Sequence, residues 1–574
     1  MIIANHSFPQ ATIIIPDDAS SVNRFAADEL NKYLNKICGA NFWICGESDT
    51  GRYKNQPEIC VGPVKAASDM DTSALKNDGY MLKTVGTQLF ILGENDRALL
   101  YGVYGLLEDV LGCRFFAQNV ESVPQRSRLE IPNLDRTVVS PVEYRETSWN
   151  ALTSTDIAYK RGLNGHRHGN SESRGGCVNY WGFAHTLFNY VHPDEYFEEH
   201  PEYFSMINGE RIRERTQLCL TNPEVLEITK KKLRERILAH PECKIFSLTQ
   251  MDWYNPCQCP ECAKIDEEEG SHAGTMIRFV NACAESIAEE FPDILIDTFA
   301  YQYTRQPPKL TKPLPNVCVR ICTIECCFSH PLAECDEIAH FKDRTVEGAT
   351  FQNDMRGWAK LCNRMFVWDY TTNFWHYLNP MPNFHVLQPN IKFFLENGVT
   401  GLFEQGNGQG ISGEFGELRA YLISKLMWNP DLDVSEAMNE FLFGYYGKAA
   451  VPLRTYIDLM QKEVTEKDVH YGIYCAPDQG HIPEAVLVKA EELFDRAEML
   501  AENDEILSRV QRARLQIRYT RLYITSPENP TYAAQAEKLI SEIQRFGLTY
   551  IKESCPLEKS FDMLRSGDLP RARF

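Results

Sequence analysis

The chain reads as an α/β protein: a (β/α)8 barrel of the TIM type, preceded by a small α/β domain and followed by a C-terminal helical region. Three observations predict this. Short apolar runs alternate with amphipathic helical stretches over residues 141–420, the pattern of a parallel sheet with crossover helices. Residues 1–130 carry a compact strand–helix–strand–helix pattern of their own. From residue 421 to 574 the apolar positions keep helical spacing throughout, with polar loops between them.

In the first region "ATIIIP" is a strand. "SSVNRFAADELNKYLNKICG" is a helix with a serine cap, apolar Phe25, Leu30 and Leu34 on one face, and Gly39 as its stop. "EICVGP", "GYMLKTVGTQLFILG" and the helix "DRALLYGVYGLLEDVLG" follow. Neither helix opens on a Gly-rich phosphate loop, which argues against nucleotide binding. After the connector "VPQRSRLEIPNLDRTVVSP", barrel strands are expected at "VEYRETSW", near "GFAHTL", and at "KIFSLTQ", "ILIDTFAY", "NVCVRICTIE", "RMFVWDY" and "VTGLFEQG". Helices such as "TMIRFVNACAESIAEEF" and "NFHVLQPNIKFFLENG" lie between them. A doubly wound open sheet is the second choice, because no Gly-rich turn accompanies the strands.

With 574 residues the chain exceeds one ordinary domain. A net charge of −20 argues against nucleic acid or an anionic membrane as the main partner. No apolar run reaches the length of a membrane span. The N-terminus shows no basic segment followed by an apolar core. Together with 19 cysteines this favours free thiols and a cytoplasmic location, whereas a processed N-terminus would mean export.

Barrel active sites form where the strands end. Those ends carry Gln250, Asp252 and Trp253; Tyr301 and Tyr303; Glu325; Trp368, Asp369 and Tyr370; and Glu404 with Gln405. His166, His168 and His185 come earlier. Carboxylates, aromatics and hydrogen-bonding side chains together suit carbohydrate chemistry. One carboxylic acid protonates a leaving glycosidic oxygen, a second group stabilises charge at the anomeric carbon, and rings stack on sugar faces. Any one of these acids could instead be a helix cap or a salt-bridge partner; four at separate strand ends shift the balance. A metal hydrolase on His166, His168 and Asp252 is the weaker alternative, with no H-E-x-x-H helix to support it. No G-x-S-x-G elbow is present. No cofactor and no catalytic metal are expected. Cys257, Cys259 and Cys262 fall one ligand short of a tetrahedral zinc site, and the fourth is sought at Cys326, Cys327 or a histidine. Packed thiols or a disulfide bracing the loop is the leading reading, zinc the second and redox chemistry the third.

"FAADELNKYLNKICG" followed by "ALLYGVYGLLEDVLGCRFF" resembles the small α/β domain that precedes the barrel in α-glucuronidases and β-hexosaminidases. "SLTQMDWYNPCQCPEC", "FAYQYTRQPP", "FVWDYTTNFWHYLNPMPN", "GLFEQG" and "LRAYLISKLMWNP" resemble the DUF4838 family, part of which forms glycoside hydrolase family 163, endo-β-N-acetylglucosaminidases acting on N-glycans. The resemblance implies a retaining glycosidase in which the substrate's acetamido oxygen attacks the anomeric carbon. One carboxylate then polarises the acetamido N–H, a tyrosine binds its carbonyl, and a second carboxylate serves as acid/base. On that basis Glu404 or Glu325 is the acid/base, and Asp252 and Asp369 polarise or orient. Tyr370 and Tyr303 are the candidate tyrosines, and Trp253 and Trp368 the stacking platforms. The chain departs from β-hexosaminidases in lacking the adjacent Asp-Glu pair that those enzymes carry after their fourth strand; Met251-Asp252 stands nearest. The alternatives are a non-catalytic carbohydrate-binding protein on a degenerate barrel and an α-glucuronidase-like hydrolase. The expected partner is an oligosaccharide or glycan, with no nucleic acid and no membrane.

Overall fold

The computed structural model describes residues 1–49, 56–168, 172–335, 350–479 and 482–570, with the His168 side chain outside the description. The N-terminal region is a six-stranded sheet built from β1 (Thr12–Ile15), β2 (Ile44–Gly46), β3 (Glu58–Val61), β4 (Tyr80–Val85), β5 (Gln88–Gly93) and β6 (Asp135–Val138) in the order β6-β4-β5-β3-β1-β2. Strand alternation sorts its side chains. Ile13, Ile15, Ile59 and Ile91 face α1 (Ser21–Cys38) and α2 (Asp96–Gly105), while Ile14, Cys60 and Phe90 form a small core on the opposite face. The cap expected for α1 is present: Ser20 accepts from the Asn23 N–H, and Gly39 ends the helix in the left-handed conformation at φ +72°.

The seven barrel strands anticipated from the sequence all form. They are β7 (Tyr144–Thr147), β8 (Tyr180–Trp181), β9 (Ile245–Ser247), β10 (Leu295–Ala300), β11 (Val317–Cys322), β12 (Met365–Tyr370) and β13 (Val399–Gln405). All neighbours are parallel, in the order β7-β13-β12-β11-β10-β9-β8. The strand expected near "GFAHTL" sits just upstream, at Tyr180–Trp181. The sheet curls until β7 and β8 approach, and Asn164–Gly165 stands in for an eighth strand between them. Asn164 and Gly165 N–H groups both donate to Arg145 O at 3.2 Å, and Val178 N–H donates to Asn164 O at 2.8 Å. Glycine is required here, because a β-carbon at Gly165 would collide with the Glu146 carboxylate. Tyr144, Tyr180, Ile245, Cys318 and Phe366 fill the lower bore. Outside it pack α3 (Pro223–Ala239), α4 (Pro260–Glu269), α5 (His272–Ala288), α6 (Phe351–Leu361), α7 (Phe384–Glu396) and α8 (Gly416–Trp428).

A buried ion cluster ties the first region to the barrel. Asp78 accepts from Arg97 at 2.7 Å and from Arg145 of β7 at 2.6 Å. Burial opposes the Asp78 charge, but the two guanidinium groups outweigh it and hold the carboxyl well below its usual range. The C-terminal region is helical as expected, from α9 (Val434–Tyr446) and α10 (Ala450–Glu466) through α11 (Glu484–Leu500), α12 (Asp504–Ile524) and α13 (Tyr532–Arg545) to α14 (Leu557–Ser566). The residue-420 boundary falls inside α8, whose Leu418, Leu422 and Leu426 belong to the same core as barrel residues Val367 and Leu402. Among the described residues no helix is long and apolar enough to cross a membrane.

Candidate active site

The barrel mouth rests on a filled bore. Arg320 of β11 lies at its centre, bonded to Asp297 of β10 at 2.5 Å, with the Phe183 ring 4.1 Å and the Phe299 ring 4.8 Å from its guanidinium carbon. Burial pushes the Asp297 carboxyl up to about 6 even beside that cation. Above this plug, inward-facing residues of successive strands make an aromatic floor. Trp368 packs on Phe183 at 5.2 Å and Phe403 at 4.7 Å, and its Nε1–H donates to Gln405 Oε1 at 2.6 Å. Tyr370 stacks on Trp368 at 6.1 Å. His185 edges against Phe299 and Tyr301 at 5.7 and 5.9 Å. The exposed Arg167 guanidinium lies over the Phe183 and Phe403 rings at 5.4 and 5.3 Å.

Asp252 is the exposed carboxylate of this mouth. It sits on the loop after β9, and the Tyr301 hydroxyl at the end of β10 donates to its Oδ1 at 2.7 Å. Gln302 Nε2–H in turn donates to the Tyr301 oxygen at 3.0 Å, fixing the ring's tip. Trp253 beside it is 40% exposed, with Arg215 over its face.

Two segments from beyond the barrel complete the wall. Residues 469–476 run across the strand ends, where Phe328 N–H and Phe374 N–H donate to Tyr471 O and Ile473 O, both at 2.9 Å. This places Tyr474 against Trp375 with ring centroids 5.0 Å apart. Residues 549–555 cross the loops after β12 and β13. Glu553 N–H donates to Phe374 O at 2.8 Å, Tyr377 N–H to Ile551 O at 3.0 Å, and Ser554 N–H to Gln409 Oε1 at 2.9 Å. Glu553 is thereby half-buried at the mouth, and burial together with the negative charge of Asp252 pushes its carboxyl up to about 6. Tyr474 lies within the field of both acids. Glu553, Tyr474 and Trp375 were not anticipated from the sequence.

The remaining candidates are placed elsewhere. Phe403 and Gln405 face inward on β13, so Glu404 between them faces the helical layer. There it is 1% exposed and hydrogen-bonds to Asp369, the outward residue of β12. Thr323 Oγ1–H donates to Asp369 at 2.5 Å. Burial raises both acids, Asp369 to about 6 and Glu404 well above its usual range; the charge and hydrogen bond of Asp369 raise Glu404 further, while the hydrogen bond from Glu404 favours the ionised form of Asp369, so the shared proton rests on Glu404. Glu325 is fully buried and accepts from Arg305 at 2.5 Å, which also donates to Asp354 of α6 at 2.7 Å. Gln250 is buried and donates to Tyr301 O and Thr304 Oγ1, positioning the β10 end from behind. Tyr303 turns away from the mouth, toward His272 and Tyr254. His166 lies below the floor, 2.9 Å from the Tyr144 hydroxyl and 3.3 Å from Glu146 Oε2. Among the described residues, no cluster of metal-ligand type includes His166 or Asp252.

Two such clusters do flank the mouth. Cys257, Cys259 and Cys262 are joined by Cys219, not by Cys326, Cys327 or a histidine, because residues 218–222 lie beside the β9–α4 loop. Cys326 instead belongs to the large apolar core. The second cluster is Cys327, His330, Cys335 and His470.

Over 104 residues the chain is 33% identical to α-glucuronidase A of Emericella nidulans, a stretch that is 17% of this chain and 12% of that relative, so the match spans about an eighth of the relative's length. In overall fold it is similar to a solved GH115 4-O-methyl-α-glucuronidase with specificity for decorated arabinogalactans, at TM-score 0.59 and 11% identity, covering 99% of this chain and 78% of the other. The two proteins therefore share their overall fold. Residues 4–106 match the glycosyl hydrolase family 67 N-terminus, and residues 115–458 match the domain of unknown function DUF4838. That second match spans more than half the chain, which belongs to the DUF4838 family.

Proposed function

We propose that this protein hydrolyses glycosidic bonds at the barrel mouth, with Glu553 as the proton donor and Asp252 as the second carboxylate. One observation carries the reading: a half-buried carboxylic acid held up to about 6 lies in the field of the exposed, tyrosine-bonded Asp252 carboxylate above an aromatic floor. A raised acid able to hold a proton beside a second carboxylate is what glycosidic cleavage needs. The proton on Glu553 passes to the leaving oxygen as the C–O bond breaks. Glu553 as carboxylate then withdraws a proton from the incoming water. Trp368, Tyr370 and Trp375 supply stacking faces.

The preferred substrate is an N-acetylhexosaminide cleaved with acetamido assistance. Asp252 is oriented by Tyr301 to accept from an acetamido N–H, and Tyr474, which lies in the field of both acids, is the tyrosine assigned to its carbonyl. A uronic acid is the second reading, favoured by one observation: the exposed Arg167 guanidinium over the floor offers the paired donors a sugar carboxylate takes.

A panel of nitrophenyl glycosides tests this. Turnover of the N-acetyl-β-glucosaminide, lost in Asp252→Asn and Glu553→Gln, is expected. Turnover of an α-glucuronide, lost in Arg167→Ala, selects the second reading. Oligosaccharide binding without turnover of any glycoside makes the protein a carbohydrate-binding one and overturns both.

A further inference from the structure

We propose that the protein holds two structural zinc ions, one bound by Cys219, Cys257, Cys259 and Cys262, the other by Cys327, His330, Cys335 and His470. In each group the four ligand atoms all lie within 4.8 Å of one another. The closer separations match tetrahedral zinc. Four sulfurs at about 2.3 Å from a metal stand about 3.8 Å apart; Cys219 Sγ is 3.6 Å from Cys259 Sγ and 3.9 Å from Cys262 Sγ. A sulfur and a nitrogen on the same ion, at about 2.3 and 2.0 Å, stand about 3.6 Å apart. Cys327 Sγ is 3.4 Å from His330 Nδ1, and Cys335 Sγ is 3.6 Å from His470 Nδ1. None of the six cysteines of the two groups is disulfide-bonded, and the Cys219 separations lie far beyond a disulfide's sulfur–sulfur length of about 2.05 Å.

The surroundings suit metal ligands in both places. Donors point at the thiols of the first group: Met206 N–H and Arg211 reach Cys257 at 3.4 and 3.5 Å, and the Thr221 hydroxyl reaches Cys262 at 3.2 Å. In the second, both imidazoles turn Nδ1 to the thiols and Nε2 to one carboxylate. Asp468 Oδ1 is 3.1 Å from His330 Nε2 and 3.7 Å from His470 Nε2, the carboxylate–histidine pairing that fixes ring orientation around bound metals. The two rings stack with centroids 4.1 Å apart, which brings both imidazoles to the same pair of thiols.

Each ion would hold one loop of the active-site wall. The first clamps the β9–α4 loop, five residues after Asp252, to residues 218–222. The second joins the loop after β11 to the segment that carries Tyr474. Filled tetrahedral sites of four protein ligands leave no position for substrate, so neither ion takes part in the chemistry.

Elemental analysis of the intact protein, made in zinc-supplemented medium and desalted, is expected to give two zinc atoms per chain. Cys219→Ser and His470→Ala should each reduce that to one. X-ray absorption on the unmodified protein removes dependence on the variants folding: the two sites together average three sulfurs and one nitrogen per zinc, at about 2.3 and 2.0 Å. Fewer than two zinc atoms, iron in their place, or an all-sulfur shell overturns the pair as proposed.

Discussion

Glu553 comes from a segment 148 residues past the last barrel strand, which ends at Gln405, so replacing it tests the whole arrangement. Its acid is raised from 4.5 to about 6. At pH 7 that leaves about one molecule in ten protonated, roughly thirtyfold more than an unshifted glutamate would have. Glu553→Gln removes the proton donor with little change of shape. General acid catalysis contributes about 10²–10⁴-fold, so kcat/KM for an alkyl or nitrophenyl glycoside should fall by that factor, about 3–5 kcal/mol of transition-state stabilisation. A dinitrophenyl leaving group needs no protonation, and its loss should be tenfold or less. The parent's alkaline limb near pH 6 should vanish in the variant. Asp252→Asn removes the neighbouring negative charge, so any residual activity should show that limb at lower pH. Stopped assays across pH 4–9 with leaving groups of graded basicity read all of this. Equal losses for every leaving group, or an unchanged alkaline limb in Glu553→Gln, would refute the assignment.

Tyr301→Phe deletes the hydroxyl that orients Asp252 and should lower kcat by roughly tenfold or more, as expected for a hydrogen bond to a charged group; added to Asp252→Asn it should cost almost nothing further, because the two act as one unit. Asp78→Ala leaves Arg97 and Arg145 buried without their shared carboxylate and should destabilise the fold by about 3–5 kcal/mol in urea titrations. Because Asp78 titrates below its unfolded value, its contribution is present above about pH 4 and is lost as the pH falls through the folded value. Asp369 and Glu404 have the opposite sign: both are raised, so the contribution of the shared proton is full below the ordinary carboxylate range and is lost as pH rises through about 6 and beyond. Glu404→Gln should therefore gain melting temperature over the parent steadily between pH 5 and 8, and a constant difference would exclude the shared proton.

The strands were legible because each is a short apolar run bounded by turn residues, and the interior of a parallel barrel selects for little else. Which side of a strand a residue faces was harder to read. Asp369 and Glu404 stand at strand ends as anticipated, but the period of two decides their direction: with Trp368, Tyr370, Phe403 and Gln405 turned inward, the acids between them face the helices. Had the phase been anchored on the aromatic residues, the two acids would have been placed correctly. Glu325 offered no such signal, since its partner Arg305 lies on a different loop. Cys219 is 38 residues before Cys257, and spacing alone cannot pair across a helix that long.

The acid and the tyrosine contributed from beyond residue 421 change what the C-terminal helices are for. Among the described residues, a barrel that ended with α8 would present Asp252 at its mouth with no second carboxylate facing it, because the other strand-end acids are consumed outside the bore or turned outward. The helices α10 to α14 carry the two connecting segments back over the mouth, and backbone hydrogen bonds to Phe328, Phe374 and Tyr377 seat them there. These are main-chain contacts, so they depend on the path of the loops and little on side-chain identity. That dependence explains why the loops themselves are braced: Cys219 with Cys257, Cys259 and Cys262 on one side of the mouth, Cys327, His330 and Cys335 with His470 on the other. A shift of 1 Å in either loop would move Asp252 or Tyr474 relative to Glu553, and misplacement on that scale can cost about a hundredfold in rate. Rigidity of the two flanking loops is thus a requirement of the proposed active site, whose two acids stand 301 residues apart in the chain.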